Sequence, residues 1–220
     1  MNDLYIDNMI GKGMGITAAE VRDILNSMEG DVKVHISSPG GSVFEGIEIY
    51  NTIKDYSNGA VQVIVESLAG SIASVIAYAG DGLPMFRNNA TMFIHEPLTS
   101  FTNGTANELR KTADTLDTIK ETIIGAYPQN NMDYGNLMAD ETWFTAKQAI
   151  DSGLAIPYDR GQMQNIAGHQ FMNLGYDDLM SAFKDSVKPV IEPVIEPVIE
   201  NKLPNLQARK RFLEIQSDDC

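Results

Sequence analysis

From residue 17 the apolar positions recur at helical spacing: Val21, Ile24, Leu25 and Met28 follow Thr17-Ala-Ala-Glu20, a capping-box pattern for a helix start. Gly30-Asp31 breaks that run before Val32–Ser38, which alternates and reads as a β-strand. After Pro39-Gly40-Gly41 a second capping-box pattern, Ser42 with Glu45, opens a helix whose apolar stripe is Val43, Ile47, Tyr50 and Ile53. Asn58-Gly59 signals a turn, and Val61–Ser67 is a short, nearly continuous apolar run of the kind buried on both faces of a parallel sheet. A helix-like run of small residues, Gly70–Ala79, follows directly. Leu83–Arg87 and Ala90–His95 read as short strands.

Thr105 with Glu108 opens the longest helix, with Leu109, Ala113, Leu116, Ile119 and Ile123 on one face. Pro128–Gly135 reads as a polar loop, and Thr145 as the N-cap of a short helix that ends near Gly153. Strands separated by helices imply crossover connections and largely parallel pairing, so the pattern predicts an α/β fold of stacked ββα units. The pattern changes near residue 185. Pro-Val-Ile-Glu occurs three times, from Pro189, Pro193 and Pro197, and a proline every fourth residue disfavours helix. Residues 186–205 read as an extended linker, or as a repeated motif that adds to a partner's sheet edge. Residues 206–220 read as a short basic amphipathic tail. The domain expectation is therefore a body over 1–185 with an extended C-terminal appendage.

Composition narrows the function classes. The chain has 220 residues and a formal net charge of −14, with 30 acidic against 16 basic side chains. All but one of those net charges fall on residues 1–180 (23 acidic, 10 basic), so the appendage is nearly neutral. A body this acidic lacks the clustered positive charge that nucleic acid or an anionic membrane surface requires. The one cysteine, Cys220, allows neither an intrachain disulfide nor a multi-cysteine metal site. No signal-peptide pattern is read at the N-terminus. The most apolar stretch, Leu68–Ala79, is too short to span a bilayer. Neither a metal nor a cofactor is called for, and no G-x-x-x-x-G-K-[ST] motif is present.

Three histidines are candidates for chemistry. His35, inside a strand, reads as a structural histidine, and His169 has no recognisable partner. His95 ends an apolar strand, the place where parallel α/β folds collect catalytic groups. Ser71 follows a buried strand and opens a helix, a placement that exposes a nucleophile while the strand holds it. The competing role for Ser71 is a plain N-cap, and Ser67 and Ser74 lie close by. Gly40-Gly41 leaves bare backbone amides that can approach a substrate oxygen, or else is simply a strand-to-helix turn.

Four blocks now stand together: Ser37–Ile53, Ser67–Gly80, Ala90–Gly104 and Glu141–Ala155. In order and spacing they resemble the Clp protease proteolytic subunit family, over roughly residues 4–160. The wording GITAAEV, HISSPGGSVFEGIEIYN and ETWFTAKQAIDSGLA is most similar to the ClpP-like head maturation proteases of tailed phages. The resemblance implies a ClpP/crotonase-like fold and a serine endopeptidase with Ser71 as nucleophile and His95 as general base. It implies oxyanion-hole amides at Gly41 and Ile72, and an extended substrate beside Gly40 and Pro97. The family's catalytic aspartate falls on Glu141, with Asp140 the alternative and Asp133 a more distant one. It further implies a homo-oligomer, with ring stacking through Thr105–Tyr127 as one option and Ile124 and Tyr127 as contact candidates. Its substrates would be proteins, including phage scaffold or capsid precursors, in the host bacterial cytoplasm or the assembling head.

Three rivals stay open at this point. A crotonase-type acyl-CoA enzyme would use the glycine pair without Ser71 and His95. A Ser–Lys peptidase would leave His95 without a role. An inactive scaffolding component would keep only the fold.

Overall fold

The computed structural model describes residues 2–99 and 103–158. The chain runs β1 (Asn2–Ile6), β2 (Met9–Ile10), β3 (Gly15–Ile16), α1 (Ala18–Asn26), β4 (Val32–Ser38), α2 (Val43–Lys54), β5 (Val61–Gly70) and α3 (Ile72–Ile76). It continues with β6 (Met85–Phe86), β7 (Thr91–Ile94), α4 (Ala106–Ala126), α5 (Tyr134–Ala139), β8 (Thr142–Thr145), α6 (Ala146–Asp151) and β9 (Ile156–Pro157). The Pro-Val-Ile-Glu segment, the basic tail, His169 and Cys220 lie outside the described residues.

A sheet in the order β1-β4-β5-β6-β9 is parallel throughout. Strand β5 is long enough to serve two neighbours. Its middle, Ile64–Val65, pairs with β6, and its end, Leu68–Gly70, pairs with β7. The end of β5 also stays paired with β4 through Ser38↔Ala69, and its pairing with β7 sets Ser71 beside that strand. The pairing is largely parallel, as expected, with one antiparallel pair: β8 runs against β7, from Thr91↔Thr145 to Ile94↔Thr142.

Alternation explains the core. In β4, Val32, Val34, Ile36 and Ser38 are buried and the residues between them are partly open. Val21 and Leu25 of α1 and Ile49 and Ile53 of α2 lie in the same buried cluster as these strand residues. Thr17 and Thr105 form the capping boxes their sequences announce, with Glu20 and Glu108, and Thr145 caps α6 with Gln148.

Ser42 does not behave as its spacing suggests. It precedes α2 but makes no side-chain cap bond. Glu45 instead accepts a 2.7 Å bond from the Ala18 backbone, tying α2 to the start of α1. A tertiary partner has displaced the local one. Two further readings are corrected. The small-residue run is strand through Gly70 and helical only over Ile72–Ile76. The supposed loop ends early, because Asp133 caps α5 through the Asn136 amide.

The long helix α4 matches its expected span, and most of its apolar stripe is not buried within the chain. Leu109 is exposed and only Ile123 is buried within the helix. Tyr127, a candidate for subunit contact, is buried against its own chain, where it stacks on Tyr134 at 4.4 Å and 9°. Ile124 likewise packs partly against the core.

Candidate functional site

The site forms where β4, β5 and β7 end. Ser71 joins β5 to α3 with φ +53° and ψ −130°, a conformation that L-residues rarely adopt. No cap bond comes from its side chain, which sets aside the plain N-cap role. Its amide donates to the Phe93 carbonyl of β7 at 2.9 Å, fixing the turn to the neighbouring strand. Its Oγ lies 2.8 Å from Nε2 of His95, the residue after β7. For the serine hydroxyl to donate here, the imidazole must carry its proton on Nδ1. His95 is half-buried, and Phe93 stacks against its ring at 4.9 Å with Trp143 stacked beyond Phe93 at 4.2 Å.

The Ser38–Ser42 turn packs against this elbow. Gly40 has φ +95°, and a Cβ there would lie 2.6 Å from Ser71 Cβ. At Gly41 a Cβ would meet the Ile10 carbonyl at 2.1 Å, so backbone contact requires glycine at both positions. The N-terminal segment clamps the turn from the other side. Ile10 donates to the Gly40 carbonyl at 2.9 Å, and Ser42 donates to the Ile10 carbonyl at 2.8 Å. Buried Ser38 adds a bond from Oγ to the Asn8 carbonyl and receives the Gly40 amide at 3.1 Å. This pattern uses the amides of residues 40 and 42 and leaves that of Gly41 free. Neither the Gly41 nor the Ile72 amide donates a hydrogen bond among the described residues.

The structure does not join a carboxylate to His95 among the described residues. Asp133 is engaged at the start of α5, with both oxygens on Asn136. Asp140 forms the C-cap of α5. Glu141 follows in a left-handed conformation, φ +49°, and is exposed. Continuing the antiparallel register by one step beyond Ile94↔Thr142 sets Glu141 across from His95. Pro97, partly buried, lies two residues beyond His95, and Glu96 between them pairs with Lys120 of α4 at 2.5 Å.

His35 lies elsewhere, with structural partners. Its ring nitrogens meet Glu66 at 2.7 Å and Asp3 at 2.9 Å, and Glu66 also pairs with Arg87. Among the described residues no group of three His, Cys, Asp or Glu side chains is gathered as a metal site. No helix among them is long and apolar enough to cross a membrane.

Sequence reasoning missed the N-terminal clamp, because β2 has two residues and no periodicity to read. It also missed the role of Ser38, whose only sequence signal is its position before Pro-Gly-Gly.

Comparison with known proteins bears on this geometry. The Clp protease family model matches residues 13–156. The ATP-dependent Clp protease proteolytic subunit of Ligilactobacillus salivarius is 34% identical over 131 residues, covering 57% of this chain and 66% of that protein. The corresponding subunit of Bacteroides thetaiotaomicron is 31% identical over 131 residues, covering 56% of this chain and 58% of that protein. The chain thus spans about three-fifths to two-thirds of the length of these relatives.

Proposed function

The chain belongs to the Clp protease family, and on that premise we propose that it is a serine endopeptidase acting through Ser71 and His95. The observation that carries this reading is the 2.8 Å contact between Ser71 Oγ and His95 Nε2 at a strained strand-to-helix elbow. In the proposed mechanism Oγ attacks a peptide carbonyl as Nε2 takes its proton. The imidazolium then protonates the leaving amine, and water hydrolyses the acyl-serine with the proton transfers reversed. The free amides of Gly41 and Ile72 receive the developing oxyanion, where one donor is typically worth about 2.7–4 kcal/mol.

Glu141 is the acid we assign to the Nδ1 side of His95. Its support is the β7–β8 register and the resemblance. Asp140, one residue earlier and committed to the end of α5, is the alternative. A glutamate reaches one bond further than an aspartate, and it fulfils the role by rotating across the end of the ladder.

The substrate is an extended polypeptide laid beside Gly40-Gly41 and the chain through Pro97, held by strand-like backbone bonds. The finer assignment, processing of phage scaffold or capsid precursors in the bacterial cytoplasm or the assembling head, rests on the three sequence segments that resemble head maturation proteases. The protein works as a homo-oligomer, for which the exposed Leu109 side of α4 supplies apolar surface.

Labelling with a fluorophosphonate tests the chemistry. Modification of Ser71, lost in Ser71→Ala together with peptide cleavage, is the expected result. Cleavage retained by a folded Ser71→Ala variant would overturn the assignment, and a wild-type serine that never labels would favour an inactive scaffolding role.

A further inference from the structure

Behind the elbow lies a hydrogen-bonded chain that the proposed chemistry leaves unused. Ser74, buried in α3, has its Oγ 2.5 Å from the Ser71 carbonyl and 2.6 Å from the Tyr127 hydroxyl. A hydroxyl has one proton to give. Ser74 gives its proton to the carbonyl, which can only accept, so Tyr127 must be the donor to Ser74. The direction is therefore fixed as Tyr127 to Ser74 to the Ser71 carbonyl.

That carbonyl belongs to the same planar peptide unit as the Ile72 amide. In a trans peptide the two groups point in opposite directions, so fixing one fixes the other. Hydrogen bonding at the carbonyl also polarises the unit and strengthens its N–H as a donor. Ile72 is the amide left free at the site. Tyr127 itself is held firmly: it stacks flat on Tyr134 and meets Tyr78 edge-on at 5.7 Å and 67°. Burial pushes its phenol above the ordinary range and the Ser74 bond offsets only part of this, so the hydroxyl stays protonated.

We propose that Tyr127 and Ser74 are positioning residues that orient and polarise the Ser71–Ile72 peptide so that the Ile72 amide is aimed at the oxyanion. The inference rests on the serine peptidase reading. Because Tyr127 is the C-cap of α4, it also ties the geometry of the oxyanion donor to the end of that helix.

The test uses the full chain, a fluorogenic peptidyl-coumarin amide and a peptide boronate that forms a tetrahedral adduct on serine. Tyr127→Phe removes one hydroxyl and keeps the ring stack. It should lower kcat about tenfold with KM within about twofold, the scale of one hydrogen bond. Boronate affinity should fall in parallel, because the adduct presents its oxygen to the same donors. Ser74→Ala should lower kcat at least as much, and the double variant no further. If Tyr127→Phe melts early, Ser74→Ala reads the same step with the aromatic stack intact. Unchanged kcat and boronate affinity in a folded Ser74→Ala or Tyr127→Phe variant would overturn the proposal, as would additive losses in the double variant. A wild-type chain that neither cleaves nor takes fluorophosphonate would instead overturn the serine peptidase reading on which it rests.

Discussion

Ser71 has a backbone conformation that costs on the order of 1–3 kcal/mol in an unconstrained chain. It is held there by the Phe93 carbonyl on its amide and by Gly40 against its Cβ. Strain of this kind is invisible in the sequence, where Ser71 has the same local signature as any N-cap serine. Gly41 was legible as a flexible residue, but its necessity comes from Ile10, some 30 positions earlier. Gly41→Ala would drive a Cβ into the Ile10 carbonyl, so we expect loss of activity and a lower melting temperature together, read by peptide hydrolysis and thermal unfolding. The acid separates the two adjacent candidates. Glu141→Gln should reduce kcat by about 100-fold or more, from the lower end of general acid–base contributions upward, while Asp140→Asn should change it by less than about threefold. The reverse ranking would move the role to Asp140.

Among the elements, the helices were read best and the short strands worst. Capping boxes are local and announce themselves: Thr17, Thr105 and Thr145 all make the bonds expected of them. Thr145→Ala should cost about 1 kcal/mol of stability, measured by denaturant unfolding. Ser42 shows the limit of local reading, because Glu45 found a better acceptor role on α1. Strand β6 falls inside the expected Leu83–Arg87 strand, whereas β9 has two residues and owes its existence to register with β6, which no periodicity encodes.

The cluster joining β1, β4 and β5 to the chain after β6 adds a pH dependence. Burial raises the Glu66 carboxyl, but hydrogen bonds and charge from Arg87 and His35 outweigh it and hold the group below its ordinary range. A carboxylate depressed in the folded state contributes stability above its unfolded pKa, and that contribution is lost as pH falls through the folded value. Melting temperature should therefore drop on acidification below about pH 4.3, and Glu66→Gln should make that drop shallower. An unchanged acid limb would remove Glu66 from the account.

For the whole molecule, α4 is the element that needs explaining. At 21 residues it is about 31 Å long, yet only Ile123 is buried along it. Near its end Lys120 pairs with Glu96, and Tyr127 enters the core. The earlier turns leave Leu109 and Ala113 exposed, the apolar surface that the proposed homo-oligomer would use. Leu109→Lys should shift the sedimenting species to a smaller assembly at micromolar concentration without lowering the melting temperature of the protomer. A wild-type monomer at that concentration would contradict the oligomer.

The sequence by itself determined the α/β class, the starts of the helices capped by Thr17, Thr105 and Thr145, and the three segments that meet at the site. Those depend on spacing over a few residues, and spacing is written in the chain. It also placed Ser71, His95 and Gly41 as candidates, because strand ends and glycine turns are local. Only the tertiary structure decided that β5 pairs with both β6 and β7, that Ser71 Oγ meets His95 across 24 positions, and that β8 runs antiparallel to β7. These are outcomes of register and packing between distant segments, where each contact depends on every other being in place.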